Sequence, residues 1–179
     1  EKANVDMSAV TWNYTEPFGY DGTAKTVEVT NLPSGVSVSY QNNSKTEIGN
    51  YDAVAMFAVA DTEHYNPIPN MTFAWKIEKG TIDVSGMTWN YTTPFEYNGQ
   101  QKSVQMSGLP EGCTIDYTGT TSATAVGKYT ATAIITPPNA DFYNEIEPIT
   151  LNWEIVKADL APVASVGEIT KVYAGEDIT

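Results

Sequence analysis

The chain has 179 residues, enough for one ordinary domain or two small ones, and no segment reaches the roughly 18 consecutive apolar residues that a membrane-spanning helix needs. All nine basic residues are Lys, against 22 acidic residues, and the formal net charge is −13. Nucleic acids and anionic membranes are usually bound by clusters of Lys and Arg, so we expect no nucleic-acid partner and no membrane insertion in this segment.

One segment of the sequence occurs twice. Residues 10–22 read VTWNYTEPFGYDG and residues 87–99 read MTWNYTTPFEYNG, at an offset of 77 positions. From Gly127 onward the offset to the first copy is 78, so the second copy has one extra residue between Tyr117 and Gly127, in a loop of small polar residues. About two aligned positions in five are identical, which predicts the same fold in both copies.

β-Strands are predicted throughout both copies, because apolar residues alternate with polar ones along several short segments. In the first copy the alternating residues are Val27/Val29, Val36/Val38/Tyr40, Tyr51/Ala53/Ala55/Phe57/Val59 and Met71/Phe73/Trp75/Ile77. In the second copy they are Val104/Met106, Cys113/Ile115/Tyr117, Tyr129/Ala131/Ala133/Ile135 and Ile149/Leu151/Trp153/Ile155. The pattern predicts that Trp75 and Trp153 occupy equivalent core positions on the last strand of each copy.

Turn residues separate the predicted strands. Asp21-Gly22 and Asn98-Gly99 are pairs that accept positive φ, and a Leu-Pro-x-Gly sequence follows in both copies. About five or six short strands per copy predict an all-β chain of two tandem small Ig-like β-sandwich domains, with a helix-free β-grasp-like fold as the alternative. The expected domains are residues 1–79 and 80–157, and the short joint between them leaves little room for bending.

The repeated aromatic string has two interpretations. Trp12 and Trp89, with the rings that follow them, lie just before a turn, where large side chains can close the end of a small core. Alternatively, Trp12, Tyr14, Trp89 and Tyr91 form binding surfaces, since exposed aromatic patches mark interaction sites and stack on sugar rings. The two interpretations differ in whether the rings are buried, and the structural role is the one we expect.

Five motifs occur in the same order in both copies. They are Trp-x-Tyr, Pro-Phe-x-Tyr-[Asp/Asn]-Gly, Leu-Pro-x-Gly, Gly-x-Tyr-x-Ala-x-Ala and Tyr-Asn. In this order and at this repeat length, residues 4–157 resemble the MBG-type and related Ig-like repeats of bacterial surface proteins. The resemblance implies an extracellular location, on the bacterial cell surface or secreted, within large adhesin-like proteins. It implies no catalytic residue and no cofactor.

The last segment, residues 158–179, does not continue the repeat. Within it, Lys171-Val172-Tyr173-Ala174-Gly175 is similar to the Tyr-x-Gly entrance of a related repeat. One interpretation is therefore that this tail is the truncated start of a third module, although the Trp-Asn-Tyr string is missing.

Residues suited to catalysis are few. His64 is the single histidine, its counterpart is Phe142, and neither a nucleophile elbow nor a Gly-rich phosphate loop accompanies it. Cys113 replaces Val36 at an inward strand position, which predicts a small buried hydrophobic residue rather than a reactive thiolate. We therefore expect a chain that is not an enzyme.

Acidic residues gather in one pair of matching loops. They are Asp61 and Glu63 in the first copy and Asp141, Glu145 and Glu147 in the second. Calcium takes about six to eight converging oxygen ligands, and no spacing here matches an EF-hand or a repeated Asp box. We expect solvated loops and no metal site.

Two functions remain open. The first is a non-enzymatic structural module, part of a stalk in a larger cell-surface or secreted protein, whose partners are the neighbouring modules of the same chain. The second is an adhesion module that binds a host glycan, mucin or matrix protein directly through exposed aromatics. Neither function requires a cofactor.

Overall fold

The computed structural model describes residues 1–159, and every regular element in that part of the chain is a β-strand. The predicted all-β fold is therefore confirmed. None of residues 1–159 belongs to a helix that could span a membrane. The interpretation of the tail as the start of a third module falls, from residue 160 onward, outside the described residues.

The strands form two sets of eight, one in residues 1–79, named unit 1 here, and one in residues 80–157, named unit 2. The strands of unit 1 are β1 (Thr11–Trp12), β2 (Phe18–Gly19), β3 (Lys25–Thr26), β4 (Val29–Thr30), β5 (Val36–Gln41), β6 (Ser44–Lys45), β7 (Gly49–Val59) and β8 (Met71–Glu78). Those of unit 2 are β9 (Thr88–Trp89), β10 (Phe95–Glu96), β11 (Lys102–Ser103), β12 (Met106–Ser107), β13 (Thr114–Gly119), β14 (Ser122–Ala123), β15 (Gly127–Thr136) and β16 (Ile149–Val156).

Each unit has a main sheet of four strands, in the order β2-β8-β7-β5 in unit 1 and β10-β16-β15-β13 in unit 2. Antiparallel ladders join β5 to β7 and β7 to β8, whereas β2 runs parallel to β8. Two short antiparallel ladders, β1-β4 and β3-β6, complete unit 1, and β9-β12 and β11-β14 repeat them in unit 2. Val27, between β3 and β4, is fully buried against Ala53 and Trp75 of the main sheet. The short ladders and the main sheet therefore enclose one core, as in a small sandwich.

Trp75 and Trp153 occupy equivalent core positions, as the alternation predicted, and each is only 2% exposed. The indole Nε1 of Trp75 donates a hydrogen bond to the carbonyl oxygen of Asn42 at 3.2 Å, and that of Trp153 to Thr120 at 2.8 Å. Each ring therefore fills the core while its single polar group is satisfied by a turn.

The extra residue of unit 2 lies in the predicted interval. Tyr40 and Tyr117, 77 positions apart, each accept a hydrogen bond from the N–H of a short strand. Asn42 and Thr120, whose carbonyls accept from the core indoles, are 78 positions apart. Between Tyr117 and Thr120, Gly119 ends β13 with a φ of +78°. Asn42 also has a positive φ, of +55°, so both units turn through left-handed backbone here, and the extra residue of unit 2 falls between Tyr117 and Thr120.

Candidate functional site

The aromatic string of unit 1 forms part of the wall of its core. Trp12 is half-buried and stacks on Phe73 of β8, with ring centroids 5.2 Å apart. Tyr14 meets the same ring edge-on at 5.5 Å, and its hydroxyl accepts a hydrogen bond from the N–H of Lys76 at 3.2 Å. Phe73 thus brings these two predicted site residues together, and both have a packing role.

Unit 2 repeats this arrangement with one difference. The hydroxyl of Tyr91 accepts a hydrogen bond from the N–H of Glu154 at 3.2 Å, as that of Tyr14 does in unit 1. Leu151 stands where unit 1 has Phe73, and Trp89 contacts Tyr117 with centroids 5.8 Å apart. The Nε1 of Trp89 is buried without a hydrogen-bond partner among residues 1–159. The predicted pairs in units 1 and 2 lie in separate cores, so they do not form one common surface.

The asparagine inside each string also bonds within its own unit. The side-chain Oδ1 of Asn13 accepts from the backbone N–H of Glu28 at 2.8 Å, and that of Asn90 from Gln105 at 2.9 Å. These bonds tie β1 to β4 and β9 to β12 at the point where each short ladder ends. Local ladder geometry therefore explains why the Trp-Asn-Tyr string occurs twice.

Tyr20, which follows the string of unit 1, reaches across to unit 2. Its ring stacks on Phe142 with centroids 4.8 Å and planes 24° apart, and meets Tyr143 edge-on at 5.7 Å. Its backbone N–H donates to the carbonyl of Glu78 at 2.9 Å, which fixes the ring beside the end of β8. The joint is defined here as Tyr20, Phe142, Tyr143, Lys79 and Gly80.

The Tyr-Asn motif holds the start of unit 2. Gly80 forms a parallel bridge with Tyr143. The N–H of Gly80 donates to the carbonyl of Phe142, and its own carbonyl accepts from the N–H of Asn144, both at 2.9 Å. The side-chain amide of Asn144 adds a bond to the carbonyl of Lys79 at 3.3 Å. The motif therefore anchors the first residues of the unit to its last long loop.

Unit 1 begins in the same way, with alanine in place of glycine. Ala3 forms the parallel bridge with Tyr65, and its N–H donates to the carbonyl of His64 at 2.8 Å. The carbonyl of Ala3 accepts from the N–H of Asn66 at 2.9 Å. The bridge itself therefore accepts a side chain at this position.

Gly80 has no room for a side chain, and the obstacle is in the other unit. A Cβ atom built on Gly80 would overlap the backbone carbonyl oxygen of Tyr20. It would also lie 3.2 Å from the ring of Tyr143, a tight contact within unit 2. A backbone carbonyl cannot turn aside as a long side chain can, so the close approach of the two units at this point requires glycine.

The far end of unit 2 exposes the surface that unit 1 uses at the joint. Tyr97, the counterpart of Tyr20, is 44% exposed, and Val126, the counterpart of Ile48, is 45% exposed. Ile48 is instead half-buried, packed against the core of its own unit. The N–H of Tyr97 donates to the carbonyl of Val156 at 3.0 Å, which matches the bond that positions Tyr20. Tyr97 and Val126 are named the free end here.

His64 takes the place of Phe142 in unit 1 and closes a turn. Its Nδ1 lies 2.8 Å from the carboxylate of Asp61, and Asp61 Oδ1 accepts hydrogen bonds from the backbone N–H groups of His64 and Glu63. The backbone N–H of His64, followed by its ring, lowers the pKa of Asp61. Among the described residues the imidazole is hydrogen-bonded to Asp61 alone, so this is a capped turn.

Cys113 is 8% exposed and packs with Met87, Ala133 and Ile135. Burial raises the pKa of its thiol, which disfavours the thiolate. The prediction of a small buried hydrophobic residue is confirmed.

A groove recurs beside the Tyr-Asn motif of both units, with different linings. In unit 2 it has a volume of about 370 Å³ and Tyr143 and Glu145 are among its lining residues. In unit 1 it has a volume of about 210 Å³, with Tyr65 and Pro67 in the matching places. A ligand bound by both units would need matched polar groups, which these grooves do not share.

The acidic loops were the remaining candidates for chemistry. No group of three or more His, Cys, Asp or Glu side chains in residues 1–159 is placed to hold a metal ion. In the loop of unit 2 the side-chain oxygen of Asn139 accepts from the N–H of Asp141 at 2.8 Å, which closes a local turn. The hydrogen bond of Asn139 therefore shows turn geometry in this loop.

The joint is the feature that the sequence predictions did not contain. Tyr20 packs against the core of unit 1 as the other rings of its string do, so its sequence gives no sign of a second contact with unit 2. The available signal was a pair of departures from the repeat: Gly80 stands opposite Ala3, and Phe142 stands opposite His64. Both changes fall where unit 2 meets unit 1.

Comparison with known proteins identifies a family. The MBG domain family matches residues 6–72 and 91–142, together about two thirds of the chain. A comparison with curated proteins finds no match. With one family match in each unit and the same strand order in both, the chain belongs to the MBG domain family, as a tandem pair of modules.

Proposed function

We propose that the chain is a non-enzymatic structural module, two units of a stalk in a larger bacterial protein that is displayed on the cell surface or secreted. The observation that carries this proposal is the joint, where Tyr20 of unit 1 stacks on Phe142 of unit 2. Aromatic stacking between modules fixes their relative orientation, which a stalk needs and an isolated binding domain does not.

The linker supports the same role. The carbonyl of Glu78 accepts from Tyr20 in unit 1, and the N–H of Gly80 donates to Phe142 in unit 2. Only Lys79 lies between them, and its Nζ donates to the carbonyl of Ala140 at 2.6 Å. A linker bonded to both units along its whole length has little freedom to bend.

The use of the aromatic rings also favours a structural role. Trp12, Tyr14, Trp89 and Tyr91 pack against the cores of their units. The hydroxyls of both tyrosines accept hydrogen bonds from backbone N–H groups of the main sheets. The partners of such a module are its neighbours in the same chain.

Distance measurement by electron paramagnetic resonance tests the proposal. Spin labels on Ser37→Cys and Thr114→Cys, in a Cys113→Val background, report the separation of the two units at exposed, equivalent positions. A fixed joint should give one narrow distance distribution. A broad distribution in the full chain would contradict the stalk proposal.

Direct adhesion is the second candidate, and one observation favours it. Six of the seven exposed large hydrophobic residues found in residues 1–159 lie in unit 2, among them Tyr97 and Tyr117. Exposed aromatic rings of this kind mark interaction surfaces in other proteins. The partner would be a host glycan, mucin or matrix protein.

Glycan arrays and calorimetry with mucin fragments separate the two candidates. A structural module should give no signal above background and no heat of binding. A dissociation constant in the micromolar range would favour adhesion if Tyr97→Ala abolished it, or if Trp12→Ala or Trp89→Ala did so in a chain that stayed folded.

A further inference from the structure

We propose that the first bridging residue of a unit, Gly80 in unit 2, decides whether that unit docks on the aromatic end of the unit before it, and that the free end of unit 2 is a docking surface for a further unit of this fold that begins with glycine. This docking rule holds whether the chain acts as a stalk or as an adhesion module. It assigns a partner to Tyr97 and Val126 and a role to one glycine.

The first step is that glycine is not needed by the unit that contains it. Ala3 forms in unit 1 the bridge that Gly80 forms in unit 2. The two hydrogen bonds of Ala3 measure 2.8 and 2.9 Å, and both hydrogen bonds of Gly80 measure 2.9 Å. A methyl group is therefore compatible with the bridge to the Tyr-Asn motif. The requirement for glycine must come from something that unit 2 has and unit 1 lacks.

The second step is that the preceding unit imposes this requirement. A Cβ on Gly80 would overlap the carbonyl oxygen of Tyr20, whose ring stacks on Phe142. Moving Gly80 away from this oxygen would also draw Phe142 away from Tyr20, because Gly80 is hydrogen-bonded to the backbone of Phe142. One methyl group at position 80 would therefore open the stacked rings.

The third step concerns the free end, which has the same geometry as the docked end of unit 1. The backbone N–H of Tyr97 donates a hydrogen bond to the carbonyl of Val156 at 3.0 Å. The N–H of Tyr20 donates in the same way to the carbonyl of Glu78 at 2.9 Å. Glu96 replaces Gly19, but a Cβ at Gly19 would lie 3.8 Å from the Cα of Gly80, an ordinary contact. The first carbon of the side chain at position 96 therefore fits in a copy of the joint.

The fourth step is the residue that follows unit 2. Lys157 matches Lys79, and the next residue is Ala158, where the joint has Gly80. In a copy of the joint, the methyl group of Ala158 would meet the carbonyl of Tyr97. The exposed Tyr97 and Val126 define the surface that a further unit would cover.

The first test uses Gly80→Ala in the full chain. In the parent chain, residual dipolar couplings of both units should fit one alignment tensor, whereas in Gly80→Ala each unit should need its own. The ring-current shift that Phe142 gives to Tyr20 should also be lost. Two controls should keep the single tensor. Ala3→Gly changes the same bridge in a unit with no joint before it. Gly86→Ala adds a methyl group in open space, where unit 1 has Ala9.

The second test builds the missing partner. A second copy of residues 80–157 is inserted after Lys157 of the full chain, so that the inserted unit begins with Gly80, and a matched chain carries alanine at that one position. With glycine, the rings of Tyr97 and the inserted Phe142 should show mutual ring-current shifts and the two units should share one tensor. With alanine, Tyr97 should keep the shifts of the parent chain.

Identical behaviour of the glycine and alanine insertions would overturn the proposal. So would a single tensor and an unchanged Tyr20 shift in Gly80→Ala. Unfolding of unit 2 in Gly80→Ala would also count against it, since it would show that the unit itself requires glycine there.

Discussion

Units 1 and 2 share a set of internal hydrogen bonds but differ in what they expose. The shared bonds include those of the core indoles Trp75/Trp153 and of the hydroxyls of Tyr14/Tyr91, Tyr40/Tyr117 and Tyr51/Tyr129. Of the seven exposed large hydrophobic residues in the described part of the chain, only Tyr65 lies in unit 1. The comparison teaches that the positions that build the fold are duplicated, whereas the positions that meet other surfaces have diverged.

The turns of the two units have diverged in charge. Unit 1 closes two turns with carboxylates, Asp21 and Asp61, and unit 2 has the neutral amides Asn98 and Asn139 in the same places. In both units a backbone N–H group donates a hydrogen bond to the side-chain oxygen, so the turn geometry is the same. The stability of these two turns therefore depends on pH in unit 1 and not in unit 2.

The largest expected effect on the free energy of unfolding comes from removing a core indole. Trp153→Ala should lower the free energy of unfolding of unit 2 by about 3–5 kcal/mol, because the change leaves a cavity and removes the donor to Thr120. Urea denaturation followed through NMR signals of each unit measures it. Trp75→Ala is the matched variant and should instead make unit 1 the first to unfold. An unchanged midpoint in either variant would mean that the ring is not part of the core.

A smaller effect is expected when a tyrosine hydroxyl is removed and the ring is kept. Tyr14→Phe and Tyr91→Phe should each destabilise their own unit by about 0.5–1.5 kcal/mol, since the N–H of Lys76 or Glu154 loses its acceptor. Chemical denaturation of the two variants measures the difference. Tyr20→Phe is the control, because its hydroxyl makes no hydrogen bond among the described residues. Equal destabilisation by all three variants would argue against these bonds.

A stabilising change of similar or smaller size is expected at Gly86. Gly86→Ala should raise the free energy of unfolding of unit 2 by about 0.4–1 kcal/mol, since the methyl group meets nothing and the unfolded chain loses freedom. Gly99→Ala is the contrasting variant and should destabilise, because its φ of +76° is unfavourable for alanine. Thermal denaturation decides the sign in each case, and a destabilised Gly86→Ala would show that the site is not open.

The smallest expected effect is the difference in acid sensitivity. The side chain of Lys25, and then Thr23, lowers the pKa of Asp21 below its ordinary value of 3.8, and the bonds from His64 lower that of Asp61. A lowered folded-state pKa gives stability that is present above the unfolded pKa and lost as the pH falls through the folded one.

Unit 1 should therefore lose stability relative to unit 2 as the pH falls below 3.8, by a small amount because both carboxylates are exposed and screened by solvent. Thermal denaturation of each unit above and below this pH measures the shift. Replacing both residues by asparagine, as at Asn98 and Asn139, should remove it. A double variant that kept the full difference would assign the effect to other groups.

Much of the fold could be predicted because its signals are local. Alternating residues placed Trp75 and Trp153 in the core, and the change of offset located the insertion that the structure shows between Tyr117 and Thr120. Such patterns depend on the strand period and on turn geometry, which neighbouring residues determine. They needed no knowledge of which strands pair.

The joint was harder to predict from the sequence, because it depends on contacts between residues far apart in the chain. Tyr20 and Phe142 meet across the joint, yet each resembles a core residue of its own unit. The binding roles of Trp12, Tyr14, Trp89 and Tyr91 stay predictions, since half-burial in a core wall supports packing and does not test a ligand. The sequence did contain one signal of the joint. The second copy has Gly80 and Phe142 at the positions where the first copy has Ala3 and His64.

The parallel pairing of β10 with β16 has a mechanical consequence. When the chain is pulled at both ends, tension enters unit 2 near Gly80 and leaves it near Val156. The paired residues Phe95 and Ile155 lie on strands that run in the same direction, so the pull slides one strand along the other. The hydrogen bonds between them are then loaded together, whereas a hairpin pulled open loses its bonds one at a time. Each unit thus has a shear contact between one of its early strands and its last strand.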